Sequence, residues 1–194
     1  MGFSVGILST SSQPHSNTLR FAKFLQKLLT ERSLEQVSLV SFENYDIPWV
    51  GLGSIHPSRW TPFQQDLIQS WQESDLLYIV SPEYNWSFSP ALINALDQLG
   101  SKEFAHLFDN KVFALAGVSA GRGGRQPALQ LTTVLNKLIS FLDGTSVIAP
   151  RIFESHETDQ MLDAEGNFKG TPAYLKGVEA FLEYSLRIAQ RWFR

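Results

Sequence analysis

The sequence predicts an α/β protein in which helices cover both faces of a parallel β-sheet. Short apolar runs alternate with helix-length amphipathic segments along the chain. The central runs, such as Leu76 to Val80, are apolar at every position, which is typical of strands buried on both faces. No repeat, low-complexity tract or linker interrupts this alternation, so we expect one domain over residues 1–194.

The pattern predicts the position of each element. Strands are expected at Phe3 to Leu8, Val37 to Ser41, Leu76 to Val80, Val112 to Ala116 and Ser146 to Ile148. Helices are expected at Asn17 to Thr30, Thr61 to Glu73, Pro90 to Leu99, Gln126 to Phe141 and Thr171 to Phe193. Thr-Pro opens the second and the last helix, and this pair suits the N-cap and first helical positions. A five-stranded parallel sheet fits a flavodoxin-like three-layer sandwich better than a larger dinucleotide-binding domain.

Composition excludes several classes of protein. The net charge is −3, from 16 basic and 19 acidic residues, and a nucleic-acid binder would normally carry a basic excess. The chain has no cysteine, which excludes disulfides, thiolate metal sites and Cys nucleophiles. It shows no signal peptide and no bilayer-length apolar run, so we expect a soluble, cytoplasmic protein without a membrane partner. Asp159, Asp163 and Glu165 lack the spacing of a calcium loop, and no metal site is predicted.

Three loops are the candidate binding site, because ligands of such sheets bind beyond the carboxyl ends of the strands. The loop after the first strand, "STSSQPHSNT", carries hydroxyl groups and leads into a helix N-terminus, which suits a phosphate. It is not a nucleotide-binding P-loop, because it lacks Gly-x-x-x-x-Gly-Lys. Simple helix capping is the more common explanation of such residues when the loop is taken alone.

The loops after the third and fourth strands add aromatic and glycine residues. In "SPEYNWSFSP", Tyr84 and Trp86 offer flat apolar faces and Asn85 offers a donor and an acceptor, which suits a planar heterocycle. The same aromatic residues would also suit a cover over the sheet end or an oligomer contact. In "GVSAGRGGRQP", glycines allow close backbone approach to a ligand, although a flexible surface loop has the same composition.

These motifs resemble the NADPH-dependent FMN reductase family of flavodoxin-like flavoproteins, which includes quinone, azo and chromate reductases. The clearest match is "SPEYNWSFSPALINALDQL", followed by "VSAGRGGRQPALQLTTVL" and "SSQPHSNTLRFAKFL", with a weaker match at "DAEGNFKG". The resemblance extends over most of the chain. By position, it implies an FMN phosphate site formed by Ser11, Ser16, Asn17 and Thr18. It implies a ribityl and ring site formed by Pro82, Glu83, Tyr84, Asn85 and Trp86, and a further polar edge at Ser119, Gly121, Arg122 and Gly123.

Two positions depart from the family pattern. Gln13 stands where the phosphate loop of the family usually carries Arg, and we expect weaker phosphate binding for that reason. Ile93 stands where the family usually has Lys.

The resemblance also implies an activity. We expect NADPH or NADH to pass a hydride to FMN, and a quinone or similar small acceptor to be reduced next, with ping-pong kinetics and no catalytic nucleophile or dyad. Arg122 or Arg125 is a candidate contact for the phosphates of NADPH. A homodimer or homotetramer is expected. Its contact would be formed by apolar residues without an evident core role in the loop after the second strand, Tyr45, Ile47, Pro48 and Trp49, together with Trp60 and Trp86.

Two other functions use the same residues. A flavodoxin-like domain that binds flavin for signalling, without catalysis, would need the same loops. The segment "GVSAG" also matches the Gly-x-Ser-x-Gly elbow of serine hydrolases, with Ser119 as nucleophile, His156 as base and Asp143 or Asp159 as acid. The hydrolase is disfavoured, because an elbow needs a helix that begins almost at the serine, and Gly123, Gly124 and Pro127 follow instead.

Overall fold

The computed structural model describes residues 2–32 and 37–194. The strands are β1 (Val5–Ser9), β2 (Val37–Ser41), β3 (Leu76–Pro82), β4 (Val112–Val118), β5 (Val147–Ile148) and β6 (Phe153–Ser155). The α-helices are α1 (Asn17–Glu31), α2 (Pro62–Glu73), α3 (Pro90–Leu99), α4 (Arg125–Phe141), α5 (Thr158–Met161) and α6 (Pro172–Trp192). Two 3-10 segments lie at Phe42–Asn44 and Lys102–Phe108.

The sheet is parallel, with the strand order β2-β1-β3-β4-β5, and β6 also pairs with β4. β2 lies on one side of β1, and β3 lies on the other side, so the chain crosses over β1 between β2 and β3. The carboxyl ends of β1 and β3 therefore diverge into loops at the point where the strand order reverses, which is where this fold class binds ligands. The predicted flavodoxin-like α/β sandwich is confirmed.

Two apolar layers enclose the sheet because successive side chains of each strand point to opposite faces. Ile7 packs in a cluster with residues of α1 and α6, whereas Leu8 packs with residues of α2, α3 and α4. The same alternation separates Tyr78 from Ile79 in β3. Both faces are therefore buried, as the continuously apolar strands predicted.

The helix starts follow the sequence closely. Thr61 accepts a hydrogen bond from the backbone N–H of Gln64, and the Gln64 side chain accepts from the Thr61 N–H, which completes a capping box. Thr171 caps α6 through the Tyr174 N–H. Ser16 caps α1 through the Leu19 N–H. Each cap fixes where a loop ends and its helix begins.

Several elements differ from the sequence-based expectation. β3 and β4 each run two residues further than expected, and their last residues, Pro82 and Val118, are paired. Two short strands occupy the position of the predicted last strand. β5 pairs with the first part of β4. β6, which was not predicted, pairs with the last part of β4. Pro150 lies between them and has no N–H to donate, which interrupts the ladder. The longer β3 and β4 bring the second and third loops side by side.

The loop after β2 has a core role that the sequence did not reveal. Ile47 is buried in the cluster under α2 and α3, and Tyr45 packs against that cluster. Asn94 of α3 donates to the Tyr45 hydroxyl at 2.6 Å and to the Pro48 carbonyl at 3.0 Å, which ties the loop down. The expectation that Tyr45 and Ile47 lack a core role is therefore wrong. Exposed apolar surface remains further along this loop, at Trp49, Val50 and Leu52.

The helices within residues 2–32 and 37–194 include none that is long and apolar enough to cross a bilayer.

Candidate functional site

The loop after β1 forms the first wall of the candidate site. Ser16 and Asn17 are partly exposed at the start of α1, where the first backbone N–H groups of a helix have no partner within the helix. Ser11 and Thr18 are each only 1% exposed, so their side chains face the protein. The Ser11 hydroxyl shares a hydrogen bond of 3.0 Å with the Tyr84 hydroxyl. The first loop is thereby joined to the second.

The loop after β3 turns back on itself through two residues. Tyr84 and Ser87 exchange backbone hydrogen bonds of 2.9 and 3.0 Å across Asn85 and Trp86. Asn85 and Trp86 have φ of 49° and 65°, the left-handed pair that a type I′ turn requires. Gln130 of α4 donates to the Trp86 carbonyl at 2.9 Å and accepts from the Ser87 hydroxyl at 2.8 Å. The turn is therefore fixed, while the Trp86 residue is 70% exposed.

The loop after β4 is held against the second loop by Glu83. The Glu83 N–H donates to the Val118 carbonyl at 2.8 Å, and the Glu83 carboxylate accepts from the N–H of Gly124 at 2.5 Å. Gly123 lies directly against this carboxylate, since a Cβ on Gly123 would stand 2.3 Å from Oε1. Gly124 has φ of 103° and precedes the first residue of α4. Glycine at both positions lets the carboxylate close the loop.

The contacts of Ser11 with Tyr84 and of Glu83 with Gly124 bring the three sequence-predicted loops together at one edge of the sheet. Asn85, Trp86, Gly121 and Arg122 are exposed there, and Pro82, the last residue of β3, is buried beneath them. Together, the loops after β1, β3 and β4 present hydroxyl groups, an aromatic face and backbone N–H groups at the same edge of the sheet. Such an arrangement suits a ligand with an anionic end and a planar end.

A segment that sequence reasoning missed supports the third loop. Ser119 donates its N–H to the Ser155 carbonyl at 2.9 Å, and Glu157 donates its N–H to the Gly121 carbonyl at 3.0 Å. Glu154 forms a 2.6 Å ion pair with Arg125. β6 is three residues long and follows a proline, so its sequence carries no clear strand periodicity that would have found it.

Behind this segment, a buried hydroxyl network braces the loop. The Ser155 hydroxyl shares hydrogen bonds of 2.6 Å with the hydroxyls of Thr158 and Tyr174. Burial raises the pKa of Tyr174, and the hydrogen bond to Ser155 opposes that shift in part. The phenol is therefore neutral at physiological pH and acts as a hydrogen-bonding brace.

The arrangement expected of a serine hydrolase is not formed. The Ser119 hydroxyl accepts from the N–H of Gly121 at 3.1 Å, and α4 begins at Arg125, six residues later. His156 lies with Nε2 3.7 Å from Glu154 and with Nδ1 buried and unpaired. In the described ranges, no hydrogen bond links His156 to Ser119. Neither the elbow nor the nucleophile–base contact is present.

Unpaired buried polar atoms indicate where a polar ligand would fit. Ser9, the last residue of β1, is fully buried, and its hydroxyl has no hydrogen-bond partner in the part of the chain that the structure describes. Arg20, in the first turns of α1, has a buried Nε atom without a partner. Buried polar atoms are nearly always paired in folded proteins. Two unpaired atoms beside the first loop are consistent with a ligand that brings acceptor oxygens, and FMN would bring a phosphate there.

A separate groove lies away from the three loops. Its volume is about 640 Å³, and it runs between β2 and α2, where Ser38, Asp66 and Glu73 are among its lining residues. It shares no residue with the three loops. Within residues 2–32 and 37–194, no group of three or more His, Asp and Glu side chains is placed to hold a metal ion.

Known proteins match both the sequence and the fold. A family model described as NADPH-dependent FMN reductase matches residues 3–150. The FMN-dependent NADPH-azoreductase of Staphylococcus aureus (strain USA300) is 24% identical over 169 residues, which covers 84% of this chain and 81% of that protein.

Solved structures show the same fold. FerB, a flavoenzyme NAD(P)H:(acceptor) oxidoreductase from Paracoccus denitrificans, has a TM-score of 0.67 at 21% identity and covers 95% of this chain and 98% of its own. A flavodoxin from the domain Archaea has a TM-score of 0.56 at 10% identity, with 98% and 99% of the two chains covered. Because the family model spans well over half of the 194 residues and the three loops that carry its motifs meet at one edge of the sheet, this chain belongs to the NADPH-dependent FMN reductase family, with FMN and NAD(P)H as cofactors.

Proposed function

We propose that the protein reduces quinones, or similar small planar acceptors, with electrons from NAD(P)H in a ping-pong cycle on FMN. The observation that carries the proposal is the hydrogen-bonded union of the three loops at the strand-order reversal, through Ser11 with Tyr84 and Glu83 with Gly124. Bound FMN would supply the two-electron redox chemistry between NAD(P)H and the acceptor, so the protein itself needs no nucleophile.

The three loops have separate roles in this proposal. Ser16, Asn17 and the first N–H groups of α1 hold the phosphate, with the helix dipole favouring its charge. Pro82 to Trp86 line the ribityl chain and one side of the ring. In the segment from Ser119 to Gly123, the backbone N–H groups of Arg122 and Gly123 present donors to the polar edge of the ring, where they oppose the negative charge that reduction creates. The N–H groups of Ser119 and Gly121 already donate to the Ser155 carbonyl and to the Ser119 hydroxyl.

Tyr84 and Ser11 make a further contribution in this proposal, because their hydroxyls are paired at 3.0 Å between the phosphate and ring regions. Either hydroxyl can turn to a ligand oxygen while it keeps the other as partner. Trp86 contributes its exposed indole face, which suits stacking with a planar acceptor or with the nicotinamide ring.

Recognition of NADPH is assigned to Arg122 rather than to Arg125. Arg125 already pairs with Glu154 at 2.6 Å, although its side chain is 64% exposed. Arg122 is exposed at the tip of the glycine loop. The guanidinium of Arg122 is therefore the better placed of the two to receive a phosphate from solvent. A variant Arg122→Ala with an unchanged KM for NADPH would remove this role.

Self-association of the chain as a homodimer or homotetramer belongs to the same proposal. Trp49, Leu52 and Trp86 are 49%, 83% and 70% exposed, and apolar residues in such numbers are typical of contact surfaces. A clean monomer in size-exclusion chromatography with light scattering would contradict it.

The proposed function is tested by absorbance spectroscopy of the purified protein, before and after addition of FMN and then NADPH. We expect flavin bands that bleach with NADPH under anaerobic conditions and return when a quinone is added, with parallel double-reciprocal plots in steady state. Retained flavin without bleaching would favour the non-catalytic flavin-binding function. Ser119→Ala serves as the control for the hydrolase alternative, since it leaves the backbone donors in place and should leave NADPH oxidation within about twofold of wild type.

A further inference from the structure

The phosphate region lacks a fixed positive charge in its loop. From Ser9 to Leu19 the sequence has no Lys or Arg, and His15 is its one remaining basic residue. Gln13 is exposed and neutral. Hydroxyls and helix N–H groups alone would have to balance a phosphate that carries close to two negative charges.

Arg20 is the first fixed cation that follows the loop. It lies in the first turns of α1, and the side chain of a helical residue leans toward the helix N-terminus, over the preceding turn. For Arg20 that turn begins at the N-cap Ser16. We therefore expect the Arg20 side chain to lean toward the end of α1 that faces the candidate phosphate site.

Among residues 2–32 and 37–194, the buried Nε of Arg20 also has no hydrogen-bond partner. The residue is only partly exposed and its Nε is buried without a hydrogen bond. Among the described residues, no carboxylate forms a salt bridge with it. Asp163, in the turn that packs on α1, is occupied by its own turn, since its carboxylate accepts from Glu165 N–H and from Asn167 N–H.

A second unpaired atom lies on the same side of the sheet. Ser9 is fully buried with an unpaired hydroxyl, and it lies on the same face of β1 as Ile7, which packs against α1. Leaving buried polar atoms unpaired is unfavourable, and charged groups cost most. An anion at the N-terminus of α1 would satisfy a donor in Arg20 and add an acceptor beside Ser9.

We propose that Arg20 supplies the cation that selects phosphorylated flavin in this protein, from α1 rather than from the loop. The inference rests on the proposed flavin function and makes that function specific for a phosphate monoester. Arg20 would donate from Nε and from a terminal guanidinium nitrogen to phosphate oxygens, a paired arrangement that lysine cannot reproduce.

The test compares two flavins that differ only in the phosphate. The dissociation constants of FMN and of riboflavin are measured with the apoprotein by quenching of flavin fluorescence. We expect Arg20→Met to weaken FMN binding by about 10- to 100-fold, while riboflavin binding changes by less than about twofold. Arg20→Lys should fall between wild type and Arg20→Met for FMN.

Lys23→Met is the matched control, because Lys23 lies on the same helix, three residues later, and donates only to the Ala164 carbonyl in the turn. It should leave the ratio of the two constants unchanged. Placing Arg at position 13 of the Arg20→Met variant, by Gln13→Arg, should restore much of the preference for FMN.

Riboflavin binding reports the folded site in each variant. An unchanged FMN-to-riboflavin ratio in both Arg20→Met and Arg20→Lys overturns the inference about Arg20 and leaves the proposed flavin function intact. A wild-type apoprotein that binds neither flavin overturns the proposed function as well. A variant that loses both flavins to the same extent gives Arg20 a structural role only, and it also overturns the inference.

Discussion

Replacing Gly123 with alanine tests how the Glu83 carboxylate closes the third loop. Gly123 lies outside the left-handed region of backbone conformation, so alanine introduces only a steric conflict. Its Cβ would stand 2.3 Å from Oε1 and 2.8 Å from Oε2 of Glu83. The carboxylate must then move away and give up its hydrogen bond to the buried N–H of Gly124.

The size of the effect follows from that one hydrogen bond. A hydrogen bond to a charged group contributes about 1.5–3 kcal/mol, and a Gly→Ala change at a compatible position returns about 0.4–1 kcal/mol through the unfolded chain. We expect Gly123→Ala to lower the free energy of unfolding by about 1–2 kcal/mol. Glu83→Ala removes the same hydrogen bond and should cost about 1.5–3 kcal/mol.

The double variant separates this cause from general crowding. Once Glu83 is alanine there is nothing for the new methyl group to displace, so Gly123→Ala should become neutral or slightly stabilising. Urea unfolding of the apoproteins, followed by tryptophan fluorescence, gives the four free energies of unfolding of the cycle. Gly121→Ala is the matched control, because no atom lies within 4 Å of its Cβ position. Additivity within about 0.5 kcal/mol would refute the argument.

Two further predictions concern the first loop and the turn on α1. Tyr84→Phe removes one partner of the buried Ser11 hydroxyl and should lower the free energy of unfolding by about 1 kcal/mol, with weaker FMN binding in the fluorescence titration. A Ser11→Ala/Tyr84→Phe double variant that is as stable as either single variant would show that the two hydroxyls share one interaction. Full additivity of the two free-energy changes would contradict it. Hydrogen bonds from Asn167 and from the Glu165 N–H lower the pKa of Asp163, so its ionised form stabilises the fold above the ordinary pKa of an aspartate and that contribution is lost as the pH falls below about 4. The stability difference between wild type and Asp163→Asn should therefore shrink between about pH 5 and pH 3, and a pH-independent difference in thermal unfolding would argue against the assignment.

The sequence alone determined the layers and the edge of the sheet at which the three candidate loops meet. Strand periodicity is fixed by local geometry, so continuous apolar runs identify buried strands without knowledge of their neighbours. Thr61 and Thr171 act through hydrogen bonds to residues three positions along the chain, which is why both helix starts were predicted correctly. The parallel sheet in turn required that the loops after β1, β3 and β4 share one edge.

Tertiary structure decided what those loops do to one another. The pairing of Ser11 with Tyr84 joins residues 73 positions apart, and that of Glu83 with Gly124 joins residues 41 positions apart. No local pattern encodes such contacts. β6 is a strand only because β4 extends to Val118 and pairs with it. Its own three residues have too little periodicity to identify it.

From the sequence, Tyr45 and Ile47 had no evident core role, and the tertiary structure corrected that interpretation. The sequence analysis assigned no role to Arg20, and the tertiary structure shows that its Nε is buried. Burial depends on how the layers assemble. Asn94 of α3 donates to the Tyr45 hydroxyl, and Ile47 lies in the core cluster beside it. The packing around α1 buries Arg20 Nε without providing a hydrogen-bond partner among the described residues. Periodicity determines which face of an element is apolar. Whether a polar atom on that element finds a partner depends on chain segments far away in sequence, and only the folded chain brings those together.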